Sequence, residues 1–252
     1  MSLDRRSFLV GAASVAGYAS SRASDRTSSW NQIKALAFDA FPIFDPGPVF
    51  AACEAAFPGQ GAELAKLWRT RQFEYQWLRA LGGRYEDFWR STRGALDFAA
   101  RSLRLHVPND TAESLMNGFL TLRAWPDAPK ALGALRRSGR KLAFLSNATP
   151  AILDAGIHGS GLDGVFDAVI STDRIRTFKP DPRAYQLGVD VLRLRKEEIM
   201  FVAFAGWDAA GAKWFGYPTF WNNRQGVPPE ELNAAPDAVG ESLAQLVQLL
   251  GA

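Results

Sequence analysis

After residue 30 the chain shows two kinds of apolar pattern. Ile33-Lys34-Ala35-Leu36-Ala37-Phe38 is a short, nearly continuous apolar run that closes on Asp39. Such a run predicts a buried strand presenting its carboxylate at the C-terminal end. Pro42, Pro46, Gly47 and Pro48 then break the pattern and predict a loop. From about Val49 to Leu122, Ala, Leu, Glu, Arg and Phe recur at three-to-four spacing, which predicts helices. Gly82-Gly83 and Pro108-Asn109-Asp110 divide them. Beyond Trp125-Pro126-Asp127, helices and strands alternate. Helix Ala128–Arg137 leads to strand Lys141–Leu145 and Ser146-Asn147, and a helix near Pro150–Ile157 leads to strand Ala168–Ser171. A helix near Pro182–Leu192 leads to Ile199–Ala203, and one near Ala209–Phe215 leads to Pro218–Trp221.

Strands separated by single helices imply a parallel sheet with right-handed crossovers. The expected fold is α/β: a Rossmann-like, doubly wound parallel sheet core with an inserted all-helical cap domain. The core takes residues 31–46 and 125–252 and the cap residues 47–124. Ligands of such sheets bind beyond the carboxyl ends of the strands. Asp39, Ser146, Asn147 and the segment around Asp208 all fall there.

Composition narrows the function. The 252 residues are 47% hydrophobic and 22% charged, an ordinary globular balance. The net charge of +3 sits partly in the first residues. Removing residues 1–24 takes away Arg5, Arg6, Arg22 and Asp4, three positive charges and one negative, so +3 becomes +1. A near-neutral body lacks the basic surface that nucleic acid needs, and no nucleic-acid partner is expected. The single cysteine, Cys53, excludes an internal disulfide and reads as a small apolar helix residue. His106 and His158 are too few and too far apart to suggest a metal site and read as surface or loop residues.

Asp4-Arg5-Arg6-Ser7-Phe8-Leu9-Val10, followed by an apolar run to about Tyr18, reads as a twin-arginine export signal. That run is too short to span a bilayer. Residues 1–30 are expected to be this signal and a polar, Ser-rich lead-in. The protein then works in the periplasm, with no membrane contact once the signal is removed.

Four segments carry a resemblance. Phe38-Asp39-Ala40-Phe41 resembles the nucleophile motif of the haloacid dehalogenase superfamily, and Leu145-Ser146-Asn147 resembles its second motif. Phe178-Lys179-Pro180-Asp181, with Tyr185, resembles its lysine motif, and Trp207-Asp208-Ala209-Ala210-Gly211-Ala212 its acidic motif. Ala56-Phe57-Pro58-Gly59, Leu67-Trp68-Arg69 and Glu74-Tyr75-Gln76-Trp77-Leu78-Arg79-Ala80-Leu81 are similar to the cap of L-2-haloacid dehalogenases in particular. The likeness covers residues 30–250.

The resemblance implies a metal-independent hydrolase, without cofactor, that acts on a 2-haloalkanoate by covalent catalysis. Asp39 displaces halide from C2, and water releases the 2-hydroxy acid with inverted configuration. Lys179 stands beside Asp39, Tyr185 bonds near the carboxylate and Lys179, and Asp208 orients Lys179 or the water. Arg69, reaching over from the cap, holds the halide with Asn147 and Trp207. Ser146 and the backbone N–H groups of Ala40 and Phe41 hold the substrate carboxylate. The family also implies a homodimer. Phe41 stands where phosphatases of this superfamily place an acid for an alcohol leaving group, and a halide needs none. Ala203 stands where magnesium-dependent relatives place a carboxylate, and magnesium wants several hard oxygen ligands.

Three positions depart from the family pattern. Ile43 replaces a threonine, and Ala203 and Ala205 replace a serine and an asparagine. Either the pocket serves a different halo-acid, or turnover is impaired. Two rivals therefore remain at the level of sequence: a small-carboxylate-binding homologue, and a hydrolase of the same fold acting on a phosphate ester.

Overall fold

The computed structural model describes residues 30–252, so the expected export signal lies outside the described residues. Ile33–Ala252 form one unit, and Trp30–Gln32 belong to the leading segment. Six strands make a parallel sheet in the order β5-β4-β1-β6-β7-β8. They are β1 (Ala35–Phe38), β4 (Lys141–Ser146), β5 (Ala168–Ser171), β6 (Ile199–Ala203), β7 (Thr219–Asn222) and β8 (Ala238–Gly240). The chain builds outward from β1 through β4 to β5, then returns to β1's other side and builds through β6 to β8. The crevice at this reversal opens beyond the C-terminal end of β1, the expected place for a site.

The strands read as continuous apolar runs because both sheet faces are covered. Ala35, Ala37, Ala143, Leu145, Ile199 and Phe201 fill one core, with Tyr185 and Tyr217 beneath them. The alternate residues Leu36, Phe38, Leu142, Phe144, Met200 and Val202 are equally buried, as period-two alternation requires.

A two-stranded antiparallel ribbon, β2 (Phe44–Asp45) with β3 (Arg123–Ala124), forms where the chain leaves and re-enters the core. Between its strands run four helices: α1 (Gly47–Ala56), α2 (Gly61–Leu81), α3 (Phe88–Ser102) and α4 (Asn109–Asn117). α2 stops at Gly82-Gly83, where Gly83 takes φ +63°, a conformation that favours glycine. It packs on α3 through Trp68, whose Nε1 donates to Thr92 O at 2.9 Å, and Gln72, whose Nε2 donates to Thr92 Oγ1 at 2.7 Å.

The remaining helices are α5 (Ala128–Arg137), α6 (Pro150–Gly159), α7 (Pro182–Leu192), α8 (Gly206–Phe215) and α9 (Leu243–Leu249). The ribbon, β8 and α9 were not expected from the pattern. Their strands have two or three residues, too few to show a period. The helix placed near Ala209 starts three residues earlier, so Asp208 sits in its first turn rather than ahead of it. Cys53 is buried in α1, while His158 is exposed on α6 and His106 exposed in a loop.

Candidate active site

β1 delivers Asp39. The strand's last ladder bond is Asp39 N–H to Val202 O at 3.0 Å, after which the chain turns sharply. The carbonyl of Ala40 accepts the amides of Ile43 and Phe44, and Trp125 Nε1 donates to Phe41 O at 2.9 Å. Asp39 is thus fixed at the crevice, 8% exposed.

The two oxygens of Asp39 have different surroundings. Oδ1 accepts from Ser146 Oγ at 3.0 Å and from Lys179 Nζ at 3.0 Å. Oδ2 faces only the Phe41 amide, at 3.5 Å. Lys179 also donates to Asp208 Oδ2 at 2.6 Å, and Tyr185 donates its hydroxyl to Asp208 Oδ1 at 2.7 Å. One ammonium is therefore shared by two carboxylates, all three groups being buried. Burial by itself lowers the affinity of Lys179 for its proton, but the charges of Asp208 and Asp39 outweigh it and hold the ammonium above the usual lysine range. Asp208 is pushed up to about 6, by burial first and by the negative charge of Asp39 as well, with Lys179 and Tyr185 opposing. Gly211 lets Tyr185 come this close, because a Cβ there would run into the Tyr185 hydroxyl and lie 2.8 Å from Pro180.

The cap closes the crevice with aromatic surface. Phe73 and Trp77 of α2 each meet Trp207, at ring separations of 5.3 and 5.4 Å, and Phe41 meets Phe204 at 6.0 Å. The cleft left between cap and sheet is bounded by Asp39, Phe41, Phe73, Gln76, Ser146 and Trp207, among others. It encloses about 20 Å³, room for roughly one water. Larger hollows lie elsewhere, one of about 500 Å³ beside the ribbon. None of them contains the buried charge cluster.

The structure brings together Asp39, Ser146, Lys179, Tyr185 and Asp208, but gives four of the expected residues, Arg69, Asn147, Ser146 and Tyr185, partners other than those expected. Arg69 does not face Asp39. It lies on the same side of α2 as Phe73 and Gln76, yet its guanidinium turns to Gln225 Oε1 at 3.3 and 3.4 Å and over the ring of Phe50. It is absent from the cleft lining. Partial burial lowers its pKa from the ordinary arginine value. Asn147 has protein partners on both amide atoms, which leaves one Nδ2 hydrogen for an anion. Its Oδ1 accepts Lys179 N–H at 2.8 Å and Thr172 Oγ1 at 3.2 Å, and its Nδ2 donates to Gln76 Oε1 at 3.1 Å. Ser146 spends its hydroxyl proton on the nucleophile rather than on a pocket for substrate. The Tyr185 hydroxyl donates to Asp208 and not toward Lys179.

Gln76 was missed from the sequence, as were Phe73, Phe88, Phe204 and Gln225. Gln76 is 0% exposed and lies two turns beyond Trp68 and one beyond Gln72 on a buried face. A polar residue on the buried side of a helix was the available signal.

Magnesium does not fit the donors present. Asp39 and Asp208 are spanned by an ammonium, the β6 end offers Ala203, and among the described residues no three His, Cys, Asp or Glu side chains come together.

Comparison with known proteins is consistent across sequence and structure. The haloacid dehalogenase-like hydrolase family matches residues 30–216. An (S)-2-haloacid dehalogenase of Pseudomonas sp. (strain YL) is 42% identical over 218 residues, covering 86% of this chain and 94% of that protein. The haloacetate dehalogenase H-2 of Moraxella sp. (strain B) is 38% identical, covering 87% and 98%. The structure of the L-2-haloacid dehalogenase from Xanthobacter autotrophicus with chloropropionic acid covalently bound superposes with a TM-score of 0.79 at 36% identity, over 87% of this chain and 98% of that one.

Proposed function

The chain belongs to the haloacid dehalogenase-like hydrolases, and we propose that it is an (S)-2-haloacid dehalogenase, converting L-2-haloalkanoates to D-2-hydroxy acids and halide without metal. The observation that carries this reading is the unequal treatment of the two oxygens of Asp39. Oδ2, facing only a distant amide, keeps its lone pairs for attack. It forms a bond to C2 of the substrate as the carbon–halogen bond breaks, and the halide departs with that pair. In-line displacement inverts the carbon. The substrate carboxylate lies at the N–H groups of Ala40 and Phe41.

Oδ1 then becomes the carbonyl oxygen of the aspartyl ester. Ser146 Oγ and Lys179 Nζ already point at it, so they receive the negative charge that develops when water adds to Cγ. Collapse expels the 2-hydroxy acid. One proton of the water ends on the new hydroxyl and the other leaves to solvent. Asp208 and Tyr185 act on this step by fixing Lys179, so they are positioning residues. A halide leaves without protonation, which agrees with Phe41 standing two residues after the nucleophile.

Arg69 enters on substrate binding. Its bonds to Gln225 are long, and a partly desolvated guanidinium gains from an anion. We assign it to the halide after it leaves Gln225, in a cleft that must open, because about 20 Å³ does not admit the substrate.

Arg5-Arg6 and the apolar run after them support export by the twin-arginine route to the periplasm. Replacing both with lysine in a reporter fusion and finding unchanged export would end that part of the reading. Leu78 and Leu81, 63% and 88% exposed on α2, favour a homodimer. Light scattering at a monomer mass would remove it.

The test of the function is halide release from L-2-chloropropionate after exhaustive chelation, beside Asp39→Asn. Release that survives chelation and vanishes in the variant is expected. Wild-type release no faster than that of the variant would leave the small-carboxylate-binding reading.

A further inference from the structure

One cap residue in this cleft has a donor with nothing to bond. Gln76 Nε2 is buried without a partner, although the residue is 0% exposed. Its orientation is fixed from a backbone group. Lys179 N–H can only donate, so the atom of Asn147 it meets must be the carbonyl Oδ1. Asn147 Nδ2 therefore faces Gln76, and the atom that receives it must be Oε1. A flipped Gln76 would set two N–H groups against each other. Nε2 is thus turned to the other side. A buried unmet donor costs stability, and a fold retains one when something else supplies the acceptor.

The cleft contains a second such donor. Trp207 Nε1 is also buried without a partner and can only donate. Gln76 and Trp207 both border the cleft that holds Asp39. Gln76 comes from the cap helix α2 and Asp39 from the sheet, so they face each other across the gap. In-line attack by Asp39 drives the leaving group away from the sheet, toward the cap.

Building on the dehalogenase reading, we propose that Gln76 is a halide-receiving residue, whose Nε2–H group, with Trp207 Nε1–H, takes the departing halide opposite Asp39. The halide leaves with the electron pair of the broken bond and accepts these hydrogen bonds, and no proton is transferred. The donors are in place before substrate arrives, whereas Arg69 must first leave Gln225. The chain Lys179–Asn147–Gln76 also ties this donor to the backbone beside the ammonium that holds Asp39.

Gln76→Met keeps the volume and removes the donor, and Gln76→Glu keeps the acceptor for Asn147. Chloride is the poorer leaving group and the stronger acceptor, so it depends more on the donor than bromide does. Both variants are expected to lower kcat/KM for L-2-chloropropionate by about tenfold or more, and for L-2-bromopropionate by markedly less. The bromo-to-chloro ratio therefore rises. An unchanged ratio, with both rates retained or both reduced alike, overturns the proposal, since a packing role moves them together. Bromide binding to the resting protein, read by ⁸¹Br line broadening, needs no turnover. Broadening by wild type that Gln76→Met loses supports the proposal even if no halide is ever released, whereas equal broadening overturns it. A wild type that releases no halide contradicts only the dehalogenase reading.

Discussion

Lys179 lies closer to Asp208, at 2.6 Å, than to the nucleophile Asp39, at 3.0 Å. The ammonium is thus anchored by a carboxylate that does not react, and what it offers Asp39 depends on that anchor staying charged.

Asp208 is held up to about 6, so kcat/KM is expected to fall as pH drops through about 6, when Asp208 takes up a proton and loosens Lys179. Tyr185 donates to the charged form of Asp208 and opposes the rise. Tyr185→Phe should move that limb to higher pH. A limb that stays in place assigns it to another group. Stability runs the other way. A carboxyl whose folded pKa is raised stabilises the fold most below its unfolded value, near 4, and loses this as pH rises toward 6. Urea melts should show the wild type losing stability relative to Asp208→Asn over that range.

Lys179→Met should remove more than rate. Two carboxylates would then be buried without a cation, which costs about 3–5 kcal/mol. Asp208 can relieve part of this by protonating, so the loss should be larger at pH 7 than at pH 5. Urea denaturation at both values checks the difference, and halide release should fall by about a hundredfold or more.

Ala205 borders the cleft without a polar side chain and Ala203 closes β6 without one, so the hydrolytic water is placed by few groups. Hydrolysis should then be slower than displacement. Rapid-quench measurement should show a burst of about one halide per active site before the steady rate. A linear trace from the first turnover would place the slow step at displacement or earlier.

The parallel sheet was legible because its strands are buried on both faces and end in turns. The charge cluster was legible because Asp39, Lys179 and Asp208 fall at such ends. The edge strand Ala238–Gly240 was not, since three residues with Val239 exposed carry no period. The partner Arg69 takes here was not legible, because helical spacing gives its side of α2 but not where a long side chain turns, and Gln225 lies 156 residues away. Asn147 is expected from the sequence to hold the halide, and only the fold shows that Lys179 N–H and Gln76 also bond it. Gln76 escaped notice because glutamine on a helix is usually solvated.

The central claim is that Asp39 is the group that bonds to the substrate and that water then attacks Asp39 itself. Enzyme in excess over L-2-chloropropionate, turned over once in H₂¹⁸O, tests it by mass spectrometry of the product and of the peptide carrying Asp39. The label should appear in the Asp39 carboxylate, while the first 2-hydroxy acid released carries unlabelled oxygen from the protein. Label in that first product, with Asp39 unlabelled, would mean that water displaces the halide directly and would contradict the account.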